Sequence, residues 1–120
     1  MAPQARIVLI EAASASLADL MAAVDLANKM GPGIVSMSFG AGEFDYKSML
    51  FWGAPLRSAA SAKMSYVAAN GDWGSQSIFP AVDEKVVAVG GTRLAWNGAV
   101  RTETAWTSTG GATSKYVPVP

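Results

Sequence analysis

The sequence predicts an α/β protein: a mostly parallel sheet in three layers, with flanking helices and a C-terminal hairpin. Three observations carry that prediction. Short runs rich in Val, Ile, Leu and Ala recur between turn-forming clusters, in the near-continuous apolar pattern of strands covered on both faces. A stretch of helical spacing separates the first two runs. Farther on, an Asn-Gly dipeptide stands between two further runs, where a tight hairpin turn belongs.

The first strand is predicted at Ala5 to Glu11, an aliphatic and β-branched run. Ser14-Ala15-Ser16 then offers N-caps, and Leu17, Leu20, Met21, Val24 and Ala27 follow at helical spacing. Asp19 falls in the first turn and Lys29 in the last, both favourable to the helix dipole. Gly31-Pro32-Gly33 stops the helix. Ile34 to Ser38 forms the second strand, which Phe39-Gly40-Ala41-Gly42 breaks. From about Ser48 to Ala62 an Ala- and Ser-rich stretch favours helix, with Gly53 and Pro55 threatening a break. Met64 to Ala69 is the third strand, ended by Asn70-Gly71-Asp72-Trp73-Gly74-Ser75. Val86 to Gly90 is the fourth. Asn97-Gly98 then joins Thr92–Trp96 to Ala99–Glu103 as a type I′ hairpin, and the remainder is loop.

The chain has 120 residues, enough for one domain spanning 1–120 with a core that needs no staple. Nine basic residues balance nine acidic ones, which removes the electrostatic basis for binding nucleic acid or an anionic membrane. No apolar run approaches the roughly 18 residues of a membrane span. With no Cys and no His, the chain contains no Ser-His-Asp or Cys-His device and no zinc site of the usual ligand set; no cofactor or metal is implied. Only 15% of residues are charged against 51% hydrophobic, whereas soluble domains average about 25% charged. Such a surface predicts self-association, or cover from segments that flank the chain.

Open α/β sheets bind ligands beyond the carboxyl ends of their strands. Those ends are Glu11, Ser38-Phe39-Gly40 and Asn70-Gly71-Asp72. Asp72, between glycines, can serve as a hydrogen-bonding carboxyl or simply bond its own turn backbone. Ser36, Ser38, Ser108 and Ser114 have no His to activate them, so packing and loop hydrogen bonding are the better reading. Glu43, Asp45, Asp83, Glu84 and Glu103 show no catalytic spacing and read as solvated loop charges. Gly90-Gly91-Thr92 and Gly110-Gly111 open no predicted helix, which disfavours a phosphate cradle. The four Trp residues read as core or interface packing.

Several segments match one family pattern in order and spacing. Ala2-Pro3-Gln4-Ala5 resembles an Ala-Pro-x-Ala strand start, and Val35-Ser36-Met37-Ser38-Phe39-Gly40 with Glu43 a Val-Ser-x-Ser-aromatic-Gly stretch followed by Glu. Asn70-Gly71-Asp72-Trp73-Gly74 is similar to a Ser-Gly-Asp-Ser-Gly turn. Phe79-Pro80-Ala81 with Val86 to Thr92 matches Phe-Pro-Ala followed by Val-x-x-Val-Gly-Gly-Thr. Glu103, Trp106, Gly110, Gly111, Ser114, Pro118 and Pro120 fit the ending. Together these resemble the central part of the catalytic domain of the sedolisins, serine-carboxyl peptidases with a subtilisin-like fold.

The resemblance implies a partial subtilisin-like domain from a secreted endopeptidase with polypeptide substrates. It implies that Asp72 holds the oxyanion-hole position, with Ser38, Phe39, Gly40 and Gly71 along the substrate. The family's Glu and Asp pair and its nucleophilic Ser have no counterpart here, nor does its calcium site. Asn70, Trp73 and Ala112 depart from the family's usual Ser, small residue and third glycine, and Phe39 stands where Trp is common. The chain alone is therefore expected to be inactive. The alternative expectation is a non-enzymatic binding or self-assembling module built on the same sheet.

Overall fold

The computed structural model describes residues 3–118. Ala2 of the Ala-Pro-x-Ala pattern and Pro120 of the ending lie outside the described residues. Helix α1 (Leu17–Lys29) leads into strand β1 (Gly33–Met37), and β2 (Ala41–Gly42) precedes α2 (Tyr46–Trp52). Two short 3-10 turns, Ala54–Arg57 and Ala59–Lys63, reach β3 (Met64–Ala69). Then come β4 (Ile78–Phe79), β5 (Val86–Val89), β6 (Thr92–Trp96) and β7 (Arg101–Ala105). Strands β1, β3 and β5 make a parallel sheet in that order, with Val35 opposite Tyr66 and Tyr66 opposite Val86. β2 pairs antiparallel with β4, and β6 with β7. The α/β architecture, with parallel strands, flanking helices and a late hairpin, is the one the sequence predicts.

The start of α1 follows from its residues. The Ser16 hydroxyl accepts from Asp19 N at 3.2 Å, and Met21, Val24 and Asn28 turn inward. Gly31, with φ of +108°, takes the chain out of the helix. α2 begins at Asp45, whose carboxyl accepts from Ser48 N at 3.0 Å. Hydrogen bonding to the Ser48 side chain and backbone holds that carboxyl below its ordinary 3.8. The core joins Met21 and Val24 to Met49, Leu56, Tyr66 and Phe79. From α1, Asn28 Oδ1 accepts the Tyr66 hydroxyl at 2.5 Å, which fixes the helix over the face carrying Val35, Met37, Tyr66 and Ala68.

Four expectations are corrected. Ala5 to Glu11 forms no strand: it runs unpaired, with Ile7 90% and Leu9 82% exposed. Strand propensity makes no ladder without a neighbouring strand, and β1 is not adjacent. The helix expected over Ser48 to Ala62 is cut at Gly53–Pro55 into α2 and the two 3-10 turns, because Pro55 has no N–H to continue the ladder. Both pieces contribute to the same core as α1, so among the described residues the helices cover one face and the third layer is missing. The other face, with Ile34, Ser36, Val87 and Val89, is open. The hairpin loop has four residues, Asn97 to Val100, not two. Asn97 Oδ1 accepts from Ala99 N and Val100 N at 3.0 and 2.7 Å, an Asx arrangement that outcompetes the two-residue turn.

Candidate functional site at the carboxyl ends of the sheet

A cleft of about 300 Å³ opens beyond the carboxyl ends of β1, β3 and β5. Ser38 reaches it from the end of β1, Gly71 and Asp72 from the turn after β3, and Gly90 and Gly91 from the end of β5. Trp106 closes one side.

The turn that carries Asp72 is held from three directions. Asn70 N donates to Val89 O at 3.0 Å, continuing the sheet, while the buried Asn70 side chain accepts from Ile78 N at 3.4 Å. Gly71, at φ +87°, makes the reversal that a side chain would strain. Its carbonyl accepts from Gly110 N at 2.8 Å, and Gly74 N donates to Ser108 O at 3.0 Å. An atom added as Cβ on Gly110 would lie 1.6 Å from Asn70 O, so only glycine lets the tail approach this turn. Gly91 N, at the opposite wall, donates to Thr109 Oγ1 at 2.6 Å.

On this clamped turn the Asp72 carboxyl is exposed and takes no hydrogen bond from the described residues. It does not bond its own turn backbone, the role that turn geometry alone would give it. Of the carboxylates read as solvated loop charges, Asp45, Glu84 and Glu103 are exposed, whereas Asp83 is buried and Glu43 half-buried. Asp83 is buried, gripped by the Arg57 guanidinium at 2.6 and 3.0 Å, and Glu84 lies 3.7 Å from the same group. Glu43 accepts from Ser114 Oγ at 2.5 Å and from Lys115 N at 3.0 Å, joining the stretch after β1 to the tail. Asp45 caps α2, and Glu103 bonds Thr92 and Arg101 within the hairpin.

Of the predicted site residues, Asp72, Gly71 and Ser38 share the cleft, and Phe39 and Gly40 do not line it. Phe39 is half-buried against the core and lines a groove along β1. Gly40 lets β4 pass, since a Cβ there would meet Ile78 Cδ1 at 2.4 Å. Gly90, Gly91 and Trp106 are lining residues that sequence reasoning missed. The usable signal was topological: Gly90-Gly91 ends the fourth predicted strand and so belongs at the same carboxyl edge. Among the described residues no group of three or more His, Cys, Asp or Glu could hold a metal ion, and no helix is long and apolar enough to cross a membrane.

No protein-family model matches the chain, and no curated protein matches it. A solved structure does: sphericase, with a TM-score of 0.61 at 19% identity over 83% of this chain. The fold is subtilisin-like. The chain spans 33% of the sphericase chain, about a third of its length. At this identity the likeness reaches the subtilisin-like architecture and no narrower family.

Proposed function

We propose that the chain is the central part of a serine-carboxyl peptidase catalytic domain of the sedolisin type, whose parent enzyme is secreted and cleaves polypeptides. The observation that carries the reading is the free Asp72 carboxyl at the rim of the cleft shared with Gly71 and Ser38. A carboxyl group that stabilises a developing oxyanion must donate a hydrogen bond, so it acts in its protonated form. The Trp106 ring, which lines the same cleft, gives an extended peptide an apolar contact. Ser38 and Gly71 meet the substrate, whereas Phe39 and Gly40, which do not line the cleft, do not.

Acyl transfer also needs a nucleophile and a base. The chain has no His, and the sedolisin Glu, Asp and Ser segments have no counterpart in it. Alone it binds part of a substrate and hydrolyses none. Titrating it with an unstructured peptide between roughly pH 3 and pH 8 is expected to shift the amide resonances of Ser38, Gly71, Asp72, Gly90 and Gly91, with no new peptide termini. Unshifted cleft resonances contradict the binding role, and turnover that disappears in Asp72→Ala contradicts the claim of inactivity.

A second reading, the non-enzymatic self-assembling module, draws on a separate observation. The open sheet face exposes Ile34 at 75% and Val87 at 63%, and the chain carries no net charge to oppose association.

A further inference from the structure

The sequence holds two Asn-Gly pairs, Asn70-Gly71 and Asn97-Gly98, and the fold treats them oppositely. Asn97 and Gly98 lie in the exposed hairpin loop. Asn97 Oδ1 accepts from Ala99 N at 3.0 Å and from Val100 N at 2.7 Å, which folds the side-chain amide back over the peptide bond that follows it. The nitrogen of that bond, Gly98 N, donates to no acceptor among the described residues. Gly98 has φ of +93° and open space where a Cβ would stand, so no side chain crowds its nitrogen. Asn70, by contrast, is buried, engages Ile78 N through its side chain, and is followed by a glycine whose carbonyl is pinned to Gly110 N.

We infer that Asn97 is a site of spontaneous covalent modification, deamidating through a cyclic imide, while Asn70 is spared. Gly98 N, having given its proton to solvent, attacks Asn97 Cγ and forms a new C–N bond. Negative charge then gathers on Oδ1, where the Ala99 and Val100 N–H groups stand at the distances of an oxyanion hole. The Cγ–Nδ2 bond breaks, and Nδ2 takes a proton from solvent and leaves as ammonia. Water opens the imide at either carbonyl, giving aspartate at Cγ or isoaspartate at the main-chain carbon. No oxidant or reductant is involved. Either product adds one negative charge to a chain whose net charge is zero. Isoaspartate also routes the main chain through Cβ, and a hairpin whose strands are exposed throughout loses no packing by it. At Asn70 the same ring closure requires rotation in a backbone held on both sides and water at a buried amide. The loop lies at the far end of the hairpin from Gly91 and Trp106, so this chemistry is independent of the reading of the Asp72 cleft.

The test ages the full chain in warm neutral buffer and follows its tryptic peptides by mass spectrometry. Leu94–Arg101 carries Asn97, and Met64–Lys85 carries Asn70. Asn97 is expected to convert at least tenfold faster than Asn70, with isoaspartyl product detected by an isoaspartate-specific methyltransferase. In urea the two rates should draw level, and Asn97 should react in the folded chain at least as fast as in urea. Ala99→Pro deletes one of the two donors and should slow conversion at Asn97. Three results overturn the inference: equal rates at the two sites in the folded chain, conversion without isoaspartate, or an Asn97 that reacts more slowly folded than in urea. Should Ala99→Pro disrupt the hairpin, the folded and urea rates of the unaltered chain decide.

Discussion

Asp83 is a buried charge, and what makes its burial tolerable is the two-pronged contact with Arg57, backed by the Lys85 N–H at 2.9 Å. Removing the cation strands the carboxylate. Arg57→Met is expected to cost about 3 kcal/mol in chemical denaturation, and Arg57→Lys to recover only part of it, since an ammonium cannot offer the fork. Tyr66 supplies a pH signature. Burial pushes its phenol above the ordinary 10.0, against the opposing hydrogen bonds with Ser61 and Asn28. A folded-state pKa above the unfolded one gives stability that is whole below the unfolded value and is lost as pH rises through the folded value. Tyr66→Phe leaves Asn28 Oδ1 without its donor and should destabilise by about 1–2 kcal/mol at neutral pH. Above about pH 10 that gap should narrow, which denaturation midpoints measured along a pH series would show. Neither pair was legible in the sequence. Arg57 and Asp83 are far apart along the chain, as are Asn28 and Tyr66, and an isolated charge in a loop gives no sign of the partner that buries it.

At the scale of elements, local signals were read well where local physics decides. The Ser16 cap, the Gly31 stop and the strand Met64–Ala69 are set by neighbouring residues, and all are found. Ala5 to Glu11 forms no strand because a strand is a property of two segments, and no described strand pairs with it. The Gly-Gly pair of the tail belongs to the same class of long-range fact. Gly110 is needed because Asn70 and Gly71 pass against it. Gly110→Ala forces backbone apart at the clamp, and overpacking of this kind costs about 3 kcal/mol. Thermal denaturation is expected to show that loss. Hydrogen exchange should show Gly74, Gly110 and Gly111, whose amides bridge the turn and the tail, losing protection together. Wild-type-like exchange in the turn would mean that the tail does not hold it. For the candidate site, the carboxyl-end rule located Asp72, Gly71 and Ser38, whereas Trp106 is set beside Gly91 by the register of the returning hairpin, which the turn dipeptide alone does not fix.

For the whole molecule, the sheet has one face packed and one face bare. Parallel sheets are ordinarily covered on both sides, whereas here Ile34, Val87 and Val89 are exposed. Concentration-dependent association and binding of an apolar dye are expected. Val87→Lys should shift the sedimentation coefficient towards that of a monomer and reduce the dye signal. A clean monomer at high micromolar concentration without dye binding would contradict this. The low charge content already pointed to such a surface, but which face is bare became visible only when both helices were found on the same side. The hairpin stands apart from these faces. Every residue of β6 and β7 is exposed, and the two strands begin and end at paired positions, Thr92 opposite Ala105, beside the Trp106 N bond to Gly91 O at 3.0 Å. A segment that leaves and rejoins the body at one point, burying nothing, is an interchangeable cassette: it can lengthen, shorten or acquire a new sequence across generations while the sheet beneath it keeps its shape.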